Sequence, residues 1–149
     1  GINSVVKGID AKFSLHICYP RRVSLTNQSG YELLFPHILI LDPSVNHLSL
    51  ELANADQYES DLAVFKRYQN QRKFEIGLGV TDITLEKQEA GYLETPEVIK
   101  DRILKATNIL KDPELVYPAP DCGMRQLSLD RCVMMYESLV EGADLARRG

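Results

Sequence analysis

The chain has 149 residues, which is the usual size of a single domain. Hydrophobic residues make up 44% and charged residues 26%, a composition typical of a globular protein and not of a disordered one. The net charge is −4 and the basic residues are scattered, which argues against a nucleic-acid partner. No apolar run approaches the roughly 18–20 residues of a membrane span. Three cysteines do not form a disulfide scaffold, so a reducing cytoplasm is the expected location.

The hydrophobic pattern predicts strands and helices that alternate along the chain. In chain order these are a strand over 11–18, a strand over 47–52, a helix over 56–69, a strand over 73–80, a helix over 95–111, a strand over 114–120 and a helix over 128–148. Thr95 is the expected N-cap of the second of these helices, with Pro96 in its first turn. Segment 31–41 is ambiguous, because it is apolar enough for a buried helix that Pro36 would kink.

This alternation predicts four strand–helix units with parallel strands and right-handed crossovers. The strands look buried on both faces, as parallel strands usually are. Two α/β architectures fit: a doubly wound sheet, or half of a (β/α)8 barrel. The chain also opens on residues 1–8, which resemble the last turns of a helix ending at Gly8, so we expect further structure upstream.

In both architectures functional groups collect at the carboxyl ends of the strands. The first strand ends in His16 and Cys18, which lie two apart and therefore share a face. The next strands end in Glu51 and in a segment containing Asp82, and the last strand leads to Cys122. Imidazole, carboxylate and thiolate groups are therefore expected at one rim of the sheet.

Thiolate and imidazole ligands favour zinc over magnesium or calcium, and four ligands suit its tetrahedral geometry. A zinc ion with three anionic ligands is a poor activator of water, but it can hold a further thiolate in a nucleophilic form. Two other interpretations stay open. His16 and Cys18 can simply pack in the core, and four protein ligands also suit a closed structural zinc site. The remaining candidates, Cys132, His37 and His47, are interpreted as structural.

Four ordered motifs resemble the cobalamin-independent methionine synthase family and its shorter single-barrel relatives. They are "HIC" at 16–18, "SLELAN" with Glu51, "IGLGVTDI" at 76–83 and "PDCG" at 120–123. The segment "ESLVEGADLAR" at 137–147 is similar to the closing helix of the shorter relatives. The resemblance implies that residues 1–149 are the carboxyl-terminal half of a catalytic TIM barrel.

The resemblance also implies a zinc site of His16, Cys18, Glu51 and Cys122 that binds the sulfur of homocysteine. A methyl group, given by 5-methyltetrahydrofolate in the full enzymes, would pass to that sulfur to make methionine. The other half of the barrel would come from the same chain or from another one. Without it, the isolated chain is expected to be inactive.

The sequence departs from the family pattern after Asp82. The full enzymes have a histidine two residues further on, proposed to protonate the folate leaving group, where this chain has Thr84. Relatives that use a methylated corrinoid donor, or coenzyme M with an epoxide, are therefore alternatives, as is a non-catalytic half-barrel stabilised by zinc. The segment 19–46 also looks longer than in the family, and its role is not assigned.

Two aspartates are further candidates at the same rim. Asp82 is a candidate catalytic residue. At least one of Asp82 and Asp121 is expected to accept a hydrogen bond from a ligand group, such as the ring N–H of His16. The competing interpretation is that Asp121 caps the turn before the last helix.

Overall fold

The computed structural model describes residues 1–19, 30–53, 58–84 and 89–149. Its single described sheet is parallel and runs in the order β1-β2-β3-β4. The strands are β1 at Phe13–Ile17, β2 at Val45–Leu50, β3 at Glu75–Thr81 and β4 at Val116–Pro120. Each strand is added beside the previous one without a reversal. A barrel has that progression, whereas a doubly wound sheet reverses at a switch point. The prediction of an α/β fold with four units of a barrel is confirmed.

Four α-helices are described, and none is long and apolar enough to cross a membrane. They are α1 at Ile2–Val6, α2 at Tyr58–Tyr68, α3 at Pro96–Leu110 and α4 at Leu129–Arg148. Helix α3 begins where predicted, because the Thr95 side chain accepts a hydrogen bond from the Val98 N–H at 3.5 Å. Helix α4 begins in the same way, with the Ser128 side chain accepting from the Arg131 N–H at 3.3 Å.

One face of the sheet forms the hydrophobic core with the helices. Leu48 and Leu50 of β2 and Leu78 of β3 are fully buried there. They pack in one cluster with Leu62 of α2 and Ile99 of α3. Because side chains alternate along a strand, the intervening residues of β1, β2 and β3 lie on the opposite face of the sheet.

That opposite face, called the open face below, is only partly covered by the described residues. Ser14 and His16 of β1 are exposed, and Tyr117 of β4 is 44% exposed. The expectation that all strands are buried on both faces is therefore correct for β3 and wrong for β1 and β4. Among the described strands these two are the edges of the sheet, so each has a described neighbour on one side only.

The ambiguous segment 31–41 does not form one kinked helix. It forms two short 3₁₀ helices, Tyr31–Leu34 and His37–Ile40, on either side of Pro36. Proline removes a helical N–H donor and disfavours the α conformation of the residue before it, and Phe35 accordingly has an extended backbone.

The guanidinium of Arg72 anchors the end of this segment. It donates to four main-chain carbonyl oxygens, at 3.3 Å to Leu39, 2.9 Å to Asp42 and 2.8 Å to Val45, with Leu41 as the fourth. The same group lies over the Phe74 ring, 4.7 Å from its centroid. Arg72 therefore joins the start of β3 to the chain that leads into β2.

Candidate metal centre

The four predicted ligands come from the carboxyl ends of three strands. His16 belongs to β1 and Cys18 follows it, Glu51 comes directly after β2, and Cys122 comes two residues after β4. One ligand atom from each of the four side chains lies within 4.8 Å of the others. The structure therefore brings together all four residues, and their binding of zinc stays a prediction.

The ring of His16 turns its Nε2 atom towards this cluster. Nε2 lies 3.5 Å from Cys18 Sγ and 3.9 Å from Glu51 Oε1. The other ring nitrogen, Nδ1, lies 3.2 Å from the hydroxyl oxygen of Ser49, which is the residue opposite His16 in the ladder between β1 and β2. A proton on Nδ1 donated to Ser49 leaves Nε2 free as a ligand.

Ser49, rather than Asp82 or Asp121, is thus the residue seen at the ring N–H of His16. It was not singled out in the sequence. Ser49 could have been predicted from its position two residues before Glu51 and from the pairing of the first two strands. Together these place it on the open face beside His16.

The carboxylate of Glu51 is held by the backbone of the neighbouring strand end. Oε2 accepts a hydrogen bond from the Tyr19 N–H at 2.8 Å, while Oε1 faces the His16 ring. Within the described ranges, the His16 ring is the ion-pair contact of Glu51, and no lysine or arginine pairs with it. Among the described residues, this partly buried carboxylate lies near two thiols and has no lysine or arginine beside it, which makes it a suitable place for a metal cation.

Tyr31 is a second residue that the sequence did not indicate. Its side chain is fully buried, and its hydroxyl oxygen accepts a hydrogen bond from the Glu51 N–H at 2.7 Å. The hydroxyl lies 3.0 Å from the Ile17 carbonyl and 3.3 Å from the Glu51 carbonyl, so it can donate to either. Burial raises the pKa of Tyr31, so the hydroxyl stays protonated and remains a donor.

Asp121 holds the segment that follows Glu51. Its Oδ1 accepts hydrogen bonds from the main-chain N–H groups of Leu52 at 2.9 Å and Ala53 at 2.8 Å. Its own N–H donates to the Thr81 carbonyl at 3.1 Å. The carboxylate therefore bonds back to the end of β2, and this contact differs from the helix-capping turn that was the competing interpretation.

Gly79 makes the Asp121 contact possible. A Cβ atom at position 79 would overlap the Asp121 carboxylate and would lie only 2.5 Å from the Leu50 carbonyl oxygen. Because glycine has no side chain, Asp121 reaches from β4 across β3 to the end of β2.

Asp82 is also buried at this rim. Its Oδ1 accepts a hydrogen bond from the Thr84 N–H at 2.9 Å, and its own N–H donates to Glu94 Oε1 at 3.0 Å. Asp82 and Thr84 line a cavity of about 210 Å³ together with Tyr19, Glu51 and Cys122. This position next to two candidate ligands is compatible with a catalytic role for Asp82, which stays a prediction.

The negative groups at the rim affect one another. Burial, followed by the charges of Glu51 and Cys122, raises the pKa of the Cys18 thiol. Burial also raises the pKa of Asp121 to about 7, although its two main-chain donors act in the opposite direction and stabilise the charged form. A bound dication would relieve this repulsion.

The donor set fits zinc. Zinc bonds of about 2.0–2.1 Å to nitrogen and about 2.3 Å to sulfur place tetrahedral ligand atoms roughly 3.3–3.8 Å apart. The 3.5 Å between His16 Nε2 and Cys18 Sγ falls in that range, whereas the 3.9 Å between His16 Nε2 and Glu51 Oε1 is longer than the roughly 3.3–3.5 Å of a nitrogen–oxygen pair. Two thiols and an imidazole beside one carboxylate match zinc better than the oxygen sites that calcium and magnesium prefer.

The other histidine and cysteine candidates lie outside this cluster. His47 is on the open face, where its Nδ1 lies 2.6 Å from the Ser14 hydroxyl and its ring packs edge-on against Tyr117. Cys132 is on α4, with Sγ 3.9 Å from the Met124 carbonyl oxygen. These contacts agree with the structural interpretation of both residues.

Comparison with known proteins identifies the family. The family model described as "Cobalamin-independent synthase, Catalytic domain" matches residues 1–145. The chain belongs to this family. The resemblance seen in the four sequence motifs is thereby confirmed.

Among relatives of this cobalamin-independent synthase domain is the methionine synthase of Thermoplasma volcanium, which is 37% identical in a match that covers 85% of this chain and 36% of that protein. The methionine synthase of Thermococcus kodakarensis is 32% identical over 99% of this chain and 37% of its own length. The chain therefore spans about a third of the length of the curated relatives that it matches.

A solved structure shares the fold. It is a B12-independent methionine synthase from Shewanella sp. W3-18-1 in complex with selenomethionine, with a TM-score of 0.77 and 23% sequence identity. The match covers 99% of this chain and 42% of that one. The four β/α units thus occur in this arrangement within a larger member of the cobalamin-independent synthases.

Proposed function

We propose that residues 1–149 form the carboxyl-terminal half of a methionine synthase-like catalytic barrel and bind one zinc ion through His16, Cys18, Glu51 and Cys122. The barrel would transfer a methyl group to the sulfur of homocysteine, with a donor of the 5-methyltetrahydrofolate type. The observation that carries this proposal is the convergence of the four ligand atoms within 4.8 Å in a chain of this family.

A zinc ion in this site would supply the positive charge that keeps a bound thiol deprotonated at neutral pH. The residues of the chain prepare the place for it. Ser49 holds Nδ1 of His16, and the Tyr19 N–H holds one oxygen of Glu51, so that both ligands present a defined atom to the cluster. Free thiols are needed as ligands and all three cysteines are free, which supports a reducing cytoplasm as the location.

The cavity beside the ligands is the proposed place of the reacting groups. Its volume of about 210 Å³ suits a small thiol side chain, and Glu51 and Cys122 form part of its wall. Asp82 also lines this cavity, and its contact with the Thr84 N–H orients one of its carboxylate oxygens. Asp82 is therefore the residue that we propose as a proton-handling group.

A second candidate function is favoured by Thr84. A threonine hydroxyl does not act as an acid at neutral pH, and the described lining of the cavity contains no histidine. A folate nitrogen leaves poorly unless it is protonated. A methyl-corrinoid donor, or coenzyme M as the thiol with an epoxide, would remove this requirement while keeping the same zinc site.

The test separates the metal, the thiol and the donor. The purified chain should contain about one zinc ion. After zinc is replaced by Co²⁺, the absorption bands of the cobalt should change when homocysteine is added. Under the alternative, coenzyme M should cause this change instead. The donor is then identified by assaying methyl-folate and methyl-corrinoid donors with the chain joined to the other half of a barrel. A chain that binds zinc but responds to neither thiol even when joined to the other half of a barrel would be a structural half-barrel, and the enzymatic proposal would be wrong.

A further inference from the structure

The hydrogen-bond ladder between β1 and β2 ends just before two of the candidate ligands, Cys18 and Glu51. The last paired residues are Ile17 and Leu50, and Cys18 and Glu51 come next on the two strands. Cys18 and Glu51 therefore lie just beyond the regular strand pairing, so that pairing does not fix the distance between their backbones.

The Tyr31 hydroxyl lies between the ends of β1 and β2, where the regular pairing stops. It accepts from the Glu51 N–H at 2.7 Å and lies 3.0 Å from the Ile17 carbonyl, close enough to donate to it. One hydroxyl thus links the main chain of Glu51, which follows β2, to Ile17, the last residue of β1, which precedes Cys18.

The position of this hydroxyl is itself fixed. The Tyr31 N–H donates to Asp61 Oδ1 of α2 at 2.8 Å. Its ring packs edge-on against Tyr19, with centroids 5.4 Å apart, and at 6.3 Å from the ring of Phe65. With the side chain fully buried among these groups, the hydroxyl has little freedom to leave the two strand ends.

We propose that Tyr31 is a positioning residue for the metal centre, and that its hydroxyl sets the separation of the backbones from which Cys18 and Glu51 extend. This inference rests on the zinc site proposed above. It assigns a role to part of the segment 19–46, which the sequence left without one. Residues 20–29 of that segment lie outside the described residues.

Tyr58 provides a matched control. It is a partly buried tyrosine, and its hydroxyl donates to a main-chain carbonyl, that of Arg102 at 2.6 Å. Tyr58 is not among the residues that contact the cluster. Replacing either tyrosine by phenylalanine removes one hydroxyl and its hydrogen bonds. Only the hydroxyl of Tyr31 contacts the backbone beside Cys18 and Glu51.

The experiment compares zinc affinity, by competition with a chromophoric chelator, in wild type, Tyr31→Phe and Tyr58→Phe. Loss of a group that orients metal ligands usually lowers affinity by about 10- to 100-fold, and we expect that for Tyr31→Phe. Tyr58→Phe should bind zinc like wild type although its stability falls. The Co²⁺ absorption spectrum should change only in Tyr31→Phe.

Equal zinc affinity in the two variants would overturn the inference. Wild-type chain that binds no zinc would overturn the proposed metal site itself, so the two failures are distinguishable. If Tyr31→Phe does not fold, hydrogen exchange of the wild type decides the question. Zinc binding and the contact of the Glu51 N–H with Tyr31 must strengthen each other, so zinc should slow exchange of this amide. An unchanged exchange rate would also overturn the proposal.

Discussion

The four candidate ligands reach one point from different local settings. His16 and Cys18 are exposed on an edge strand, whereas Glu51 and Cys122 are partly buried beside the cavity. A thiolate, unlike a hydroxyl, binds zinc strongly at neutral pH, because a thiol loses its proton far more readily. Replacing either of the two cysteines of the cluster by serine is thus expected to have a large effect on zinc binding at the proposed site.

Cys122→Ser should lower zinc affinity by more than about 100-fold, because it removes a ligand and even supporting groups cost about 10- to 100-fold. Isothermal titration with Zn²⁺ measures the change. Cys132→Ser is the control, since the thiol of Cys132 contacts the Met124 carbonyl and not the cluster. Equal zinc binding in the two variants would exclude Cys122 as a ligand.

The sequence predicted that the four candidate ligands come together, but not the residues that hold them. His16, Cys18, Glu51 and Cys122 could be found because strand periodicity and the parallel fold place strand ends at one rim. Tyr31 could not, because it lies in an irregular segment whose path through space has no periodic signal. Its contacts with β1 and β2 depend on the folded chain alone.

At the scale of the elements, the long periodic segments were predicted well and the irregular one was not. Helix α3 begins at the cap that the sequence indicated, Thr95, and helix α4 begins after Ser128, at the start of its predicted range. Within α3, the apolar residue Val98 is 38% exposed, whereas Ile99 and Ala106 are buried. The sequence shows that Val98 is apolar, but the packing of α3 against its neighbours decides which side chains are covered.

The link made by Arg72 leads to a prediction about the segment before β2. Arg72→Lys should lower the free energy of unfolding by about 1–3 kcal/mol, because charge-assisted hydrogen bonds contribute roughly 1.5–3 kcal/mol each and lysine cannot reproduce the planar fork that serves four carbonyls. Urea denaturation measures the change.

Arg67→Lys is the control for this experiment. Arg67 is exposed and forms one ion pair, with Glu32 at 2.8 Å. An exposed pair contributes only about 0–1 kcal/mol, so this variant should unfold nearly like wild type. An equally small effect at Arg72 would mean that the segment 37–45 is held by its apolar contacts instead.

At the scale of the whole molecule, the described surface has several features that a barrel would cover. Within the described ranges, β1 and β4 each have a partner strand on one side only, and the open face carries polar groups from β1 to β3. Helix α4 also presents exposed apolar side chains three and four residues apart. These are Leu129, Val133, Tyr136 and Val140, exposed by 78%, 47%, 49% and 57%. Soluble proteins usually cover such a stripe with another element.

We therefore expect the isolated 149-residue chain to lack methyltransferase activity and to associate through these surfaces. The remaining strands and helices of a barrel would pair with the edge strands and pack on α4. Sedimentation velocity, together with an assay using homocysteine and the donors named above, tests this. A stable monomer with full activity would contradict the assignment of residues 1–149 to half of a barrel.

The glycine at position 79 has a consequence for anyone who wishes to build this centre elsewhere. Glu51 and Cys122 follow strands that are not neighbours, and Asp121 joins them by passing over a residue without a side chain. If only the four ligands were copied onto another parallel sheet, a side chain on the middle strand would block the carboxylate that corresponds to Asp121. A transplant of the centre thus requires at least six positions, which are the four ligands, the aspartate and the glycine. The variant Gly79→Ala in the parent chain is the simplest test of whether the glycine is required.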